Sequence, residues 1–201
     1  IVVKQRADSA DVEGATSEYS IVADAKAFRL SRTAKNQKDF KVEALNKWRG
    51  KKDYCCLVCP LYQYPQNTSQ IYRQAIDRNV TLLAYIHLVY LLSQIIPQNA
   101  DYQPLWIAGK KLKGAKDAVT YWKAIDKAVC KIAGKDLKDL QKFKEIEIKA
   151  MRKGAKEEMA FIEKRIQSIK RLSHEDAIIR LVKSEKLDSK IKQIKKISGL
   201  E

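Results

Sequence analysis

Histidine is nearly absent from this chain, with two among 201 residues. His87 and His174 stand alone, so they cannot form the paired histidines of a histidine-based hydrolytic site. His87 lies in an apolar stretch and reads as a satisfied core residue; His174 sits at a helix start beside Ser173. Proline is scarce, four in all, and none follows Pro104. The C-terminal half therefore lacks the residue that most sharply breaks helices. No apolar run is long enough to cross a bilayer; the longest, Val80–Leu92, is interrupted by Tyr85, His87 and Tyr90. No signal-peptide pattern opens the chain, so a cytoplasmic protein without a membrane partner is expected. The first residue is Ile1 rather than Met, which admits further sequence upstream. Cysteine is limited to Cys55, Cys56, Cys59 and Cys130. Cys56-x-x-Cys59 has no second pair and no histidine near it, and it lies in the apolar run Tyr54–Pro60. These cysteines read as small buried hydrophobes with reduced thiols, not as a zinc or redox site.

Acidic residues are also in deficit, 24 against 40 basic, for a net charge of +16. Residues 1–100 carry a net +5 and residues 101–201 a net +11. Such an excess favours a polyanionic partner, DNA or RNA before an anionic membrane surface, because no basic amphipathic helix stands alone at a terminus. The competing reading is a solvated, lysine-rich helical surface. Apolar residues make up 45% of the chain, enough for a core of ordinary domain size.

Extended segments are expected near Asp11–Val12 and Tyr19–Phe28, with Gly14, Thr16 and Ser17 in the turn between them. Phe40, Ala44, Leu45 and Trp48 share one side of a helix over Lys38–Arg49. Tyr54–Val58 is a buried strand ended by Pro60. Ser69 caps a helix that runs to Asp77. Val80–Tyr85 is another strand, and His87–Ser93 a helix. The order β-β-α-β-α-β indicates an α/β fold, a mixed sheet with helices packed on it. Beyond it, Ala115–Ile132, Leu137–Leu172 and Glu175–Lys196 have helical periodicity. The expected organisation is a core over residues 1–108 and a helical region over residues 109–201, joined near Gly109–Gly114.

Hydrolysis of a phosphodiester needs an attacking water and neutralisation of charge at phosphorus. Carboxylates that hold a hard divalent cation supply much of this, because magnesium prefers oxygen ligands. An acid-x-Lys triplet suits the task on a strand, where positions one and three project from one face. The middle residue can add its carbonyl. Five such triplets occur: Asp24–Lys26, Asp39–Lys41, Asp136–Lys138, Glu147–Lys149 and Asp188–Lys190. Four fall on expected helices, where residues two apart point away from each other. Only Asp24-Ala25-Lys26 falls on an expected strand. Asp11, on the preceding strand, can lie beside Asp24 across a hairpin. By type and spacing alone, this constellation is either a catalytic site or a solvated hairpin edge with an Asp–Lys pair.

The same residues carry a resemblance. The segment Val22–Val42, VADAKAFRLSRTAKNQKDFKV, resembles the HindIII-type restriction endonucleases. The likeness continues through Gln63-Tyr64-Pro65 and Ser69-Gln70-Ile71, and is patchier at Phe161-Ile162-Glu163 and Glu175-Asp176-Ala177-Ile178. It implies the PD-(D/E)-x-K nuclease fold, with the motif's first acid at Asp11, its second at Asp24 and its lysine at Lys26. Ala10 stands where that motif has proline. The resemblance implies Mg2+ held by Asp11, Asp24 and the Ala25 carbonyl. It implies a homodimer that cuts double-stranded DNA at a short palindrome, AAGCTT in the prototype. It also implies a further acidic residue on an upstream helix, which would precede Ile1.

Directly after the expected catalytic strand come Arg29, Ser31, Arg32, Thr33, Lys35, Asn36, Gln37 and Lys38. Arg and Lys suit guanine edges, and Asn and Gln suit adenine edges. The same composition suits a plain polar surface loop; its position favours DNA contact. Gln5-Arg6 fits the family pattern and a plain surface equally. Trp48, Trp106 and Trp122 read as core. Two rivals remain at this point: a structure-selective or repair nuclease of the same fold, and a non-catalytic DNA-binding module.

Overall fold

The computed structural model describes residues 1–3, 9–27, 37–112, 114 and 117–198. The chain divides into two compact units, Ile1–Lys149 and Ala150–Glu201. The first contains one five-stranded sheet, β1 (Val2–Val3), β2 (Val12–Ala15), β3 (Ser20–Ala25), β4 (Tyr54–Cys59) and β5 (Val80–Ala84), hydrogen-bonded in that order. β1, β2 and β3 pair antiparallel; β3, β4 and β5 pair parallel. This is the α/β mixed sheet with flanking helices that the sequence indicates.

The antiparallel part is a hairpin. Val12 pairs with Ala23 and Ala15 with Ser20. Thr16 closes the turn: its hydroxyl oxygen accepts the Glu18 and Tyr19 N–H groups, each at 3.1 Å. The parallel part needs crossovers, and two helices supply them. α1 (Val42–Arg49) joins β3 to β4, and α2 (Gln70–Arg78) joins β4 to β5. α1 buries Val42 and Leu45. It starts after a short 3-10 turn, Gln37–Phe40, at Lys41 with φ +49°, four residues later than the periodicity suggests. Ser69 caps α2 as expected, and Asn79 ends it with φ +50°. All five residues of β5 and five of the six in β4 are buried. Parallel strands are covered on both faces, which is why they read as unbroken apolar runs.

β5 stops at Ala84, and α3 (Tyr85–Leu92) begins at once. Tyr85, expected to end the strand, therefore opens the helix. α4 (Gln103–Trp106) and α5 (Ala118–Ala133) follow, the latter capped by Asp117, whose carboxylate accepts the Thr120 N–H at 2.7 Å. Tyr121, Ile125 and Val129 of α5 are fully buried in the same core as the sheet, as is Leu140 early in α6 (Leu137–Lys170). The joint placed at Gly109–Gly114 thus falls inside the first unit, because α5 packs there. Gly109 lies so close to Tyr121 that a Cβ would stand 3.2 Å from its ring. The hydroxyl of Tyr121 accepts the Leu82 N–H of β5 at 2.8 Å.

The second unit holds the end of α6, then α7 (His174–Ser184) and α8 (Leu187–Ser198). The helix expected over Glu175–Lys196 is broken at Lys186, with φ +55°. No side chain of α7 is buried, and Ile178, Ile179 and Leu181 are largely exposed. No described helix is long and apolar enough to cross a membrane.

Candidate active site

β3 places the central acid. It is paired on both sides, and its alternation turns Val22 and Asp24 to a covered face; Asp24 is 2% exposed. Lys26, two residues on, follows the same alternation. Its Nζ lies 2.5 Å from Asp24 Oδ2. The Lys26 N–H donates to the Val58 carbonyl at 2.8 Å, carrying the parallel pairing one step past the strand end.

Asp11 precedes β2 by one residue. Because Val12 pairs with Ala23, Asp11 meets the next part of β3. Its Oδ2 accepts the Ala25 N–H at 2.8 Å. In an extended strand the N–H and C=O of one residue leave the same side, so the Ala25 carbonyl also faces the Asp11 side. The structure thus brings Asp11, Asp24, Ala25 and Lys26 together at the C-terminal end of β3. The other four acid-x-Lys triplets are not on strands.

Burial is the largest influence on Asp24 and raises its pKa; Lys26 pulls the other way, and Asp11 adds to the rise. The outcome lies above the ordinary carboxylate value, so the ion pair does not fully compensate the loss of water. Asp24 Oδ2 has the Lys26 ammonium beside it and no other hydrogen-bond partner among the described residues. The donor set, two carboxylates and a carbonyl, is all oxygen and suits a hard divalent ion that keeps several waters. No group of three or more His, Cys, Asp or Glu gathers among the described residues.

The DNA-contact candidates Arg29, Ser31, Arg32, Thr33, Lys35 and Asn36 lie outside the described residues, as do Gln5 and Arg6. Gln37 and Lys38 are described as backbone only, in the turn before α1.

Two of the segments that carry the resemblance serve the fold. The Tyr64 hydroxyl donates to the Leu57 and Leu83 carbonyls, and Gln63 is buried against Cys59. Ser69 caps α2. Cys55, Cys56 and Cys59 are buried along β4, and burial pushes the Cys55 thiol up to about 11. Trp48, Trp106 and Trp122 pack partly buried against the core.

His87 is a satisfied core residue, as its sequence setting suggests. Its Nδ1 accepts the Ala84 N–H at 3.1 Å, so Nε2 carries the proton and donates to Asp126 Oδ1 at 2.9 Å. Lys144 Nζ meets the same oxygen at 2.5 Å. Burial drives the imidazole below its ordinary pKa. Burial alone would raise Asp126, but His87 and Lys144 outweigh it and hold that carboxyl low. The partners were not legible in the sequence, since each is distant along the chain and no short motif links them.

The sequence model of the HindIII restriction endonuclease family matches residues 1–198. The type II restriction enzyme HindIII of Haemophilus influenzae is similar over nearly the whole chain. The two are 37% identical over 201 residues, which cover 96% of this chain and 67% of that enzyme.

Proposed function

The chain belongs to the HindIII restriction endonuclease family, and from that premise we propose that it cuts double-stranded DNA at a short palindrome, AAGCTT-like by resemblance, through Asp11, Asp24 and Lys26 with magnesium. It is a type II restriction endonuclease, a site-specific deoxyribonuclease. Enzymes of this class depend on a divalent metal; magnesium is the reading that the oxygen donor set favours. The observation that carries the assignment is the meeting of Asp11, Asp24 and Lys26 around Ala25.

Asp11, Asp24 and the Ala25 carbonyl would hold the ion. When bound, it supplies positive charge at the phosphate and lowers the pKa of a coordinated water. Lys26 orients the attacking water and balances the negative charge that grows on the phosphoryl oxygens. The Asp11 bond to the Ala25 N–H fixes the backbone between the acid and the lysine. In-line attack leaves a 5′-phosphate and a 3′-hydroxyl.

A palindrome is met by a two-fold protein, so the active form is a homodimer. The helical region 109–201 carries a net charge of +12, from 26 basic and 14 acidic residues. Its exposed apolar side chains, Ile178, Ile179, Leu181, Ile191 and Ile194, favour a role in dimerisation and DNA contact.

Digestion of DNA of known sequence, followed by mapping of the ends, tests the reading. Discrete cuts at one palindrome are expected with magnesium present. Asp24→Ala or Lys26→Ala should remove cutting and leave binding in calcium largely intact. Cutting only at junctions or nicks would overturn the site-specific reading, and near-normal cutting by either variant would overturn the assignment of the residues.

A further inference from the structure

β3, β4 and β5 run parallel, so their C-terminal ends share one edge of the sheet. Ala25 pairs with Val58, and Cys59 with Ala84. The first residue past β5 on that edge is Tyr85, at the start of α3. It lies two strand spacings, roughly 10 Å, from the Asp24–Lys26 end of β3. The four buried tyrosines of this unit have hydroxyl partners. Tyr64 donates to Leu57 and Leu83, Tyr72 to Pro65, and Tyr90 to Asp139, and Tyr121 accepts from Leu82. Tyr85 packs its ring partly against the core, yet its hydroxyl has no hydrogen-bond partner among the described residues.

The corner that carries Tyr85 is unusually well fixed. The Ala84 N–H, which opens the turn into α3, donates to His87 Nδ1 at 3.1 Å. His87 is held by Asp126 of α5, and Asp126 by Lys144 of α6. That buried chain of three side chains sets where β5 becomes α3. Burial, followed by Cys59, Asp11 and Asp24 in that order, raises the phenol above its ordinary pKa. The phenol is therefore a donor at neutral pH, and it lies within the electrostatic reach of both carboxylates of the site.

We propose that Tyr85 is a further DNA-contacting residue of this enzyme, donating its phenolic hydrogen to a phosphate oxygen of the strand being cut, next to the phosphate held at Asp24 and Lys26. The proposal rests on the reading of Asp11, Asp24 and Lys26 as the active site. A strand that lays one phosphate over the end of β3 carries its neighbouring phosphates along the same edge. A neutral donor suits this place, because it binds phosphate without adding a second cation beside Lys26.

Tyr85→Phe removes one oxygen and leaves the packed ring. Its cleavage under single-turnover conditions, at DNA concentrations below saturation, should fall tenfold or more. Its melting temperature should match the parent. The slope of log K against log salt, measured in calcium, should also be unchanged, because a neutral hydroxyl releases no counterion. Cleavage by Tyr85→Phe at the parent's efficiency would overturn the proposal, as would a loss fully matched by a loss of thermal stability. Asp24→Ala, run beside it, separates the two levels. If Asp24→Ala still cuts, the active-site reading fails; if Asp24→Ala is dead and Tyr85→Phe is normal, only the tyrosine contact fails.

Discussion

The Asp11 carboxylate accepts the N–H of Ala25 at 2.8 Å, so a side chain from one strand holds the backbone between the acid and the lysine of the next. One oxygen of Asp11 is thereby a structural acceptor, while the carboxylate as a whole carries the charge that a cation needs. The two roles separate in Asp11→Asn. The amide oxygen can still accept from Ala25, but the charge is gone. The variant should fold and bind DNA in calcium, and cleave about two powers of ten more slowly or worse. Cleavage within a few fold of the parent would remove Asp11 from the chemistry.

Asp24 works against the stability of the protein that carries it. Its folded pKa is raised, chiefly by burial, so the folded state prefers the protonated form. The stability it contributes is present below the ordinary carboxylate value of 3.8 and is lost as pH rises through the folded value. At neutral pH the ionised group is a cost. Asp24→Asn should therefore melt higher than the parent; each kcal/mol gained is worth about 2–4 °C in a chain of this size. Calcium should raise the melting temperature of the parent and not of the variant, since a ligand stabilises only the state that binds it. A lower melting point for Asp24→Asn, or an equal calcium shift in both proteins, would contradict this.

His87 gives an opposite dependence in a different range. Burial lowers its folded pKa below the ordinary imidazole value of 6.5. Its contribution is present above that value and is lost as pH falls through the folded pKa, because the unfolded chain then takes up a proton that the buried ring refuses. The melting temperature should drop between pH 7.5 and pH 5. In His87→Gln, which retains an acceptor for the Ala84 N–H, the drop should be shallower. Parallel curves for the two proteins would show that His87 is not the titrating group.

Binding should be strongly salt-dependent, given the net charge of +16. If roughly 6–10 phosphates are contacted, log K falls against log salt with a slope of about −5 to −9. Titrations in calcium between low and physiological salt measure it. A flat response would mean that the lysine-rich surface is only solvated.

Residues Ser31–Lys38 come next in the sequence after β3, and on the proposed active site they contact the DNA beside the cut. Alanine at Arg32, Lys35, Asn36 or Gln37 should reduce cutting at the cognate site more than at near-cognate sites. A good bidentate base contact is worth about 1–3 kcal/mol of discrimination. Assays on cognate and single-mismatch duplexes sort base readers from phosphate holders. If all four substitutions lower every substrate alike, the loop is a phosphate clamp.

The centre of this fold was legible because its physics is local. Parallel strands β4 and β5 announce themselves as unbroken apolar runs, and Ser69 marks the start of α2 where it stands. The Asp24–Lys26 triplet could be chosen from five because only a strand puts its ends on one face. Other features had no local signal. The break between α7 and α8 falls at Lys186, with no glycine or proline to mark it. The late start of α1 rests on a lysine in the left-handed region. Tyr85 could be read as strand or helix, since β5 and α3 are equally apolar; tertiary packing of His87 onto Asp126 fixes the boundary. β1 is two residues long, too short for any periodicity to show.

β5 is an outer strand, and the Leu82 N–H on its open side is occupied by the Tyr121 hydroxyl. An outer strand with free amides is a template on which another chain can extend the sheet. Here a helix laid down some forty residues later closes that template. While the chain is being made, Val80–Ala84 is an apolar, uncharged segment without its cover until Tyr121 has emerged and docked. Refolding yield at high concentration should therefore fall when α5 is slow to reach the sheet, with Tyr121 as the stopper that keeps a second chain from the edge of β5.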